Sequence, residues 1–194
     1  MSILLLAATD QEIVRDLFPD MDMLISGIGM VNTTHALTTH LVNNSSKYNL
    51  IINIGIAGSI SNRINIGDTV EVIEDSFLEL GFNDDSGFNK FNDMCLVDSF
   101  KVDPRTQLRK VKAITVNTVN SHPGYIESLP FNKRPEIESM EGATCFFVCQ
   151  YFNIPCIQIR SISNKVIERN KDNWDMKLAI NNLNNEVRNI IDQL

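Results

Sequence analysis

The chain is short of positive charge. Its 194 residues carry 17 Lys and Arg against 24 Asp and Glu, a net charge of −7. A nucleic-acid surface needs a basic footprint, so that class of partner is not expected. Apolar runs are short as well, and none approaches the roughly 20 residues of a membrane span. The opening "MSILLLAATDQE" has no basic segment before its apolar run and soon turns acidic, so it reads as a first core strand rather than a signal peptide. A soluble, cytoplasmic protein is expected, with no membrane partner. Cysteine is scarce: Cys95, Cys145, Cys149 and Cys156. Cys145 and Cys149 stand four apart in "ATCFFVCQYF", apolar on all sides with no His at ligand spacing, which predicts buried free thiols rather than a metal pair. Repeats, linkers and low-complexity tracts are missing, so residues 1–194 read as a single domain.

What is present is an alternation of strand-length apolar runs and helical patterns. "ILLLAA" (3–8) predicts a strand, and Asp10 can cap a helix over about 11–18 that "FPD" ends. "MLIS" (23–26) is a second strand, followed by Gly27-Ile28-Gly29 and a helix over about 30–43. "LIINIG" (50–55) is apolar enough to be covered on both faces. "DTVEVIED" (68–75) alternates like a strand near an edge. From Ser76 to about Ser99 the pattern dissolves into a long loop. "KAITVNTVN" (112–120), "PEIES" (135–139) and "IPCIQIRSIS" (154–163) are further strands. "MEGATCFFVCQYF" (140–152) is a buried helix, and Ile180, Leu183, Val187, Ile190 and Leu194 mark an amphipathic one from about Trp174. Strands alternating with helices predict a layered α/β domain with a largely parallel sheet.

In open α/β sheets ligands bind beyond the carboxyl ends of the strands. Those ends carry Glu12, Ser26-Gly27-Ile28-Gly29, Gly55-Ile56-Ala57-Gly58, Asn117 to Asn120, Met140-Glu141, and Arg160, Ser161, Ser163 and Asn164. Singly, each has a structural explanation. Glu12 and Glu141 suit helix N-termini, "GIAG" suits a tight turn, and Arg160 could bridge to either carboxylate. Gly27-x-Gly29 is half of a dinucleotide fingerprint, but Asn32 holds the third glycine position, so no nicotinamide site is expected. Together, the groups suit a small-molecule pocket.

"SGIGMVN" (26–32), "INIGIAGSI" (52–60), "IGDTVEV" (66–72), "ESMEGA" (138–143) and "IRSISN" (159–164), in this order, resemble the nucleoside phosphorylase and nucleosidase superfamily. "EDSFLELGFNDDSGF" (74–88), "ESMEGA" and "SISNKVIERNKDNWD" (161–175) are similar to its futalosine hydrolase branch. The resemblance implies a three-layer α/β/α sandwich with a mixed, partly barrel-like central sheet. It implies cleavage of a purine N-ribosidic bond in a homodimer or higher homo-oligomer, with no metal or cofactor. Glu12 then becomes the general base for water, with Arg160 orienting it. The backbone of Ile56, Ala57 and Gly58 would approach the same water. Ile56 stands where nucleosidases commonly carry Ser. Glu141 would accept from the ribose hydroxyls, Met140 would pack on the ribose face, and Thr118, Val119 and Asn120 would line the purine, with Ser163 and Asn164 at its edge.

Asn164 is the informative position, because adenine-specific nucleosidases of the superfamily place Asp there. An amide can donate to an oxygen at position 6 while its carbonyl accepts from a protonated N7. A buried mismatch costs about 1–3 kcal/mol, so hypoxanthine is favoured over adenine by tenfold or more. That points to futalosine, a nucleoside with a carboxyphenyl group at the sugar's 5′ end; His35, His122, Lys90, Arg63 and Arg105 are candidate donors for its carboxylate. The rival readings are methylthioadenosine/S-adenosylhomocysteine cleavage, inosine-type phosphorolysis, which needs cations around the glycine turns, and a non-catalytic nucleoside sensor.

Overall fold

The computed structural model describes residues 2–91, 97–119, 123–166 and 174–194. Strand β1 (Ile3–Ala7) is buried throughout. Leu4 and Leu6 pack toward Leu37 and Leu41 of α1 (Met30–Asn44) and Cys145 and Val148 of α3 (Gly142–Tyr151). Ile3, Leu5 and Ala7 pack the other way, toward Leu183 and Val187 of α4 (Met176–Ile191). A strand with apolar residues on both faces demands cover on both, and the chain supplies three layers.

β1 lies between β2 (Asp22–Ile25) and β3 (Leu50–Ser59), parallel to both. The central sheet is mixed, and five of its strands close on themselves. β3 pairs in parallel with β10 (Cys156–Lys165), and β10 pairs antiparallel with β4 (Thr69–Phe77). β4 runs parallel to β8 (Arg109–Thr115), β8 parallel to β9 (Ile137–Ser139), and β9 returns antiparallel to β3. The sandwich with a partly barrel-like mixed sheet is therefore the observed fold, and "largely parallel" gives way to mixed.

Several local expectations are corrected. The helix over 11–18 is replaced by two 3-10 turns, Asp10–Glu12 and Arg15–Leu17. The reason is competition for hydrogen bonds: Glu12 turns back onto Thr9, and Asn184 of α4 takes the Val14 N–H (2.8 Å) and donates to the Glu12 carbonyl (2.9 Å). "GIAG" is not a turn; β3 runs straight through it to Ser59. β4 has strand neighbours on both sides, and its alternating carboxylates are buried with partners. Glu71 accepts from Arg105 N (2.7 Å) and Thr106 N (3.1 Å), and Asp75 accepts from Gln158 and Thr115. The long loop after Ser76 holds a hairpin, β5 (Gly81–Asp84) and β6 (Gly87–Lys90), and then β7 (Ser99–Lys101) paired with β4. A short helix, α2 (Pro123–Ser128), follows β8. Cys145, Cys149 and Cys156 are buried and form no disulfide, and their three sulfur atoms lie within 4.8 Å of one another; Cys95 lies outside the described residues. Among the described residues no helix is long and apolar enough to cross a membrane.

Candidate active site

The site grows out of one strand that changes partners. Along one edge β3 pairs with β1 from Leu50 to Asn53 and with β9 only at Gly58 and Ser59. Between these ladders the edge opens, and backbone groups there need another partner. The Ile56 N–H takes Glu12, donating to its Oε1 at 3.1 Å. The other oxygen of Glu12 accepts from Thr9 N (3.0 Å) and Thr9 Oγ1 (3.1 Å). Glu12 is thus only 8 % exposed yet held by three donors. A Cβ at Gly55 would lie 2.9 Å from both Glu12 Oε1 and Arg160 Nη1, so this position is a glycine because two charged side chains pass over it.

Beside the opening is a cavity of about 300 Å³. Ala8, Thr9, Gln11 and Glu12 form its β1 wall, Ile56, Ala57 and Gly58 its floor, and Glu138 to Glu141 the wall following β8. Ser163 and Asn164 come from β10, and Trp174, Met176 and Ile180 from the start of α4. Glu141 leads α3 as its N-cap residue and accepts the Gly29 N–H at 2.9 Å. That N–H points at Glu141 because Gly27 and Gly29 both hold positive φ (82° and 91°), which glycine tolerates. Burial pushes the Glu141 carboxyl above its ordinary range; the Arg160 charge and the Gly29 N–H pull it back, and Glu12 adds to the rise.

Asn164 is in place through an irregularity. β10 slips register against β3 between Ile162, opposite Ala57, and Asn164, opposite Gly58. This bulge at Ser163 brings the amide beside the glycine. Ser163 Oγ donates to Asn164 Oδ1 at 2.8 Å, which leaves Nδ2 toward Gly58, 3.3 Å from where a Cβ there would sit.

The structure brings Glu12, Glu141, Met140, Ile56, Ala57, Gly58, Val119, Ser163 and Asn164 to one cavity. Arg160 is not on the cavity wall but stands beside Glu12 over Gly55; it is 1 % exposed, donates to Asn53 Oδ1 through Nη2, and has no hydrogen bond to Glu12 among the described residues. Thr118 is turned aside, its N–H donating to Glu79 at 3.1 Å, and Asn120 and His122 lie outside the described residues. His35, Lys90, Arg63 and Arg105 are not on the cavity wall. Sequence reasoning missed Glu138, which looked like an ordinary strand residue, and Trp174, the single tryptophan. Trp174 Nε1 is a buried donor with no hydrogen-bond partner among the described residues; its placement at the head of an amphipathic helix was the available signal.

Comparison with known proteins agrees with this architecture. The profile of the phosphorylase superfamily matches residues 23–129, more than half of the chain. A futalosine hydrolase of Thermus thermophilus is 25 % identical over 181 residues, covering 87 % of this chain and 80 % of that one. A 5′-methylthioadenosine/S-adenosylhomocysteine nucleosidase of Desulfotalea psychrophila is 30 % identical over 165 residues, covering 77 % and 68 %. Among solved structures, a futalosine hydrolase mutant of Helicobacter pylori superposes with a TM-score of 0.83 at 19 % identity, covering 100 % of both chains. The Helicobacter pylori 5′-methylthioadenosine/S-adenosylhomocysteine nucleosidase reaches 0.82 at 19 %, covering 100 % of this chain and 99 % of that one. At these identities the superpositions establish the fold.

Proposed function

Because the chain belongs to the phosphorylase superfamily, we propose that it hydrolyses the N-ribosidic bond of a 6-oxopurine nucleoside, futalosine being the substrate that suits it best. The observation that carries this reading is the Asn164 amide on the wall of the cavity that Glu12 and Glu141 also line.

Glu12 accepts a proton from water as the water oxygen bonds to C1′ of the sugar. The C1′–N9 bond breaks, its electron pair leaves with the base, and N7 of the base takes up a proton from solvent. The sugar is oxocarbenium-like at that moment, as in glycoside hydrolysis. Glu141 accepts from the ribose hydroxyls and lends negative charge to the developing cation. Met140 packs on the ribose face. Asn164 donates from Nδ2 to O6 of the base, and the remaining lone pair of Oδ1 accepts a hydrogen bond from the N7–H. Arg160 acts from behind, as a buried positive charge that tempers Glu141.

Hydrolysis is favoured over phosphorolysis by charge. The wall carries Glu12, Glu138 and Glu141 and, among the described residues, no Lys, Arg or His, a poor setting for a phosphate dianion. Adenine release remains the second reading, supported by the 30 % identical relative. The proposal includes a homo-oligomer, supported by the exposed apolar side chains Val31 of α1 and Phe147 and Tyr151 of α3; gel filtration with light scattering tests it.

The deciding experiment incubates the protein with futalosine, inosine and methylthioadenosine, each with and without phosphate, and follows the free base. Hypoxanthine release from futalosine that ignores phosphate is the expected result. Preferential adenine release overturns the substrate assignment, and phosphate dependence overturns hydrolysis.

A further inference from the structure

Helix α4 buries Ala179, Leu183, Val187 and Ile190, and among them a polar residue, Asn184, at 0 % exposure. An amide in such a place is costly unless its polar atoms are met, and here they are. Nδ2 donates to the Ile180 carbonyl one turn back (2.8 Å) and to the Glu12 carbonyl (2.9 Å), and Oδ1 accepts the Val14 N–H (2.8 Å). The last two bonds straddle Ile13, whose backbone is extended (φ −114°, ψ 120°). A neighbouring parallel strand would engage that carbonyl and that N–H with the N–H and C=O of one residue. Asn184 supplies both from one side chain. Two bonds on either side of a residue fix the backbone of 12–14 in position and in rotation together.

The far end of Glu12, its carboxylate, is held by the N–H of Ile56 and by Thr9. The near end, the backbone that carries it, is held by α4. We propose that Asn184 is a positioning residue for the reaction, its amide setting the Glu12 carboxylate at the point on the cavity wall where it takes the proton of water. This rests on the nucleosidase reading above, in which Glu12 is the base, and adds to it the helix that places that base. The same helix walls the cavity: Met176 and Ile180 line it, and the Ile180 carbonyl is the third partner of the amide. A nucleoside seated against Met176 and Ile180 therefore bears on the element that holds Glu12. An apolar side chain of similar volume at 184 would keep the core of α4 filled and let go of the turn, so packing and positioning can be separated.

The test measures kcat and KM with whichever of futalosine, inosine and methylthioadenosine the wild type cleaves fastest. The variants are Asn184→Leu, which loses all three bonds, and Asn184→Asp, which keeps the acceptor for Val14 N–H and loses the donor to the Glu12 carbonyl. Glu12→Gln and the Glu12→Gln/Asn184→Leu double variant complete a cycle. Val187→Ala, buried on the same helix and away from the cavity, is the destabilised control. In Asn184→Leu, kcat is expected to fall about 100-fold, the effect of a misplacement of about 1 Å. KM is expected to change by less than about twofold, because Asn184 does not line the cavity. Asn184→Asp is expected to lower kcat about tenfold, and Val187→Ala to lower stability with kcat unchanged. In the Glu12→Gln background, Asn184→Leu is expected to cost less than about twofold more, because the group it acts through is already gone. If Asn184→Leu does not fold, Asn184→Asp takes its place in the cycle. An unchanged kcat, a full further loss in the double variant, or an equal loss of kcat in Val187→Ala overturns the positioning role and leaves the nucleosidase reading standing. A wild type that releases no base from any of the three nucleosides overturns both.

Discussion

The interior of the barrel and the cavity at its mouth both bury ionisable side chains, and they treat them in opposite ways. Inside, Arg160 donates to Asn53, and Asp75 accepts from Gln158 Nε2 (3.0 Å) and Thr115 Oγ1 (3.1 Å). These groups face one another, and α3 closes over them so tightly that a Cβ at Gly142 would lie 2.3 Å from Asp75 Oδ2. At the mouth, Glu12, Glu138 and Glu141 line open space. Burial of charge is common to both regions, so it does not by itself mark a reactive centre. What separates them is whether the charged group has room in front of it.

Four substitutions probe that division. The largest effect is expected from Glu12→Gln. Loss of the base should lower kcat by at least about 100-fold, while the circular dichroism spectrum stays unchanged. A collapsed fold in place of a lost rate would move Glu12 into the structural group. Next comes Arg160→Met, which leaves Asn53 without its donor and removes a buried cation. A loss of about 3–5 kcal/mol in unfolding free energy is expected in urea titrations. Full stability with abolished turnover would put Arg160 back in the reacting centre.

Asp75 is third. Burial pushes its carboxyl up to about 6, against an ordinary 3.8. The folded state therefore holds the proton more tightly than the unfolded chain does. Its stabilising contribution is complete below the ordinary value and is lost as pH rises to about 6. Linkage puts that loss at about 3 kcal/mol. Asp75→Asn should remove it, so the stability difference between the two proteins shifts by about 2 kcal/mol between pH 4 and pH 6.5. Parallel pH curves would refute the assignment. The smallest effect belongs to Ser163→Ala, which frees Asn164 Oδ1. An increase of about fivefold in KM for a 6-oxopurine nucleoside is expected, matching a single neutral hydrogen bond of about 1 kcal/mol. An unchanged KM would mean that the bulge alone orients the amide.

Legibility in the sequence followed the range of the interactions. β1, α1, the first half of β3, α3 and α4 came from local apolar pattern, and their side chains do pack as that pattern requires. Glu12, Glu141 and Asn164 came from gathering polar residues at strand ends, a rule about topology rather than distance. The failures were non-local. "GIAG" looks like a turn until β10 lies beside it and makes it a strand. Glu71 and Asp75 gave β4 the look of an edge strand, because their partners at Arg105, Thr106, Thr115 and Gln158 are distant in sequence.

The closure of β10 against β3 has a consequence for the order of assembly. Cys156 pairs with Ile51, so the ring joins segments about a hundred residues apart in the chain. During synthesis β3 and β4 leave the ribosome long before the strand that lies between them. Until β10 arrives, each presents an open ladder edge, the kind of surface that recruits foreign strands. The Asn164 amide and the buried Arg160 guanidinium travel on that late strand. A nascent chain stopped short of it would have its first carboxylate already made and nothing to aim it at.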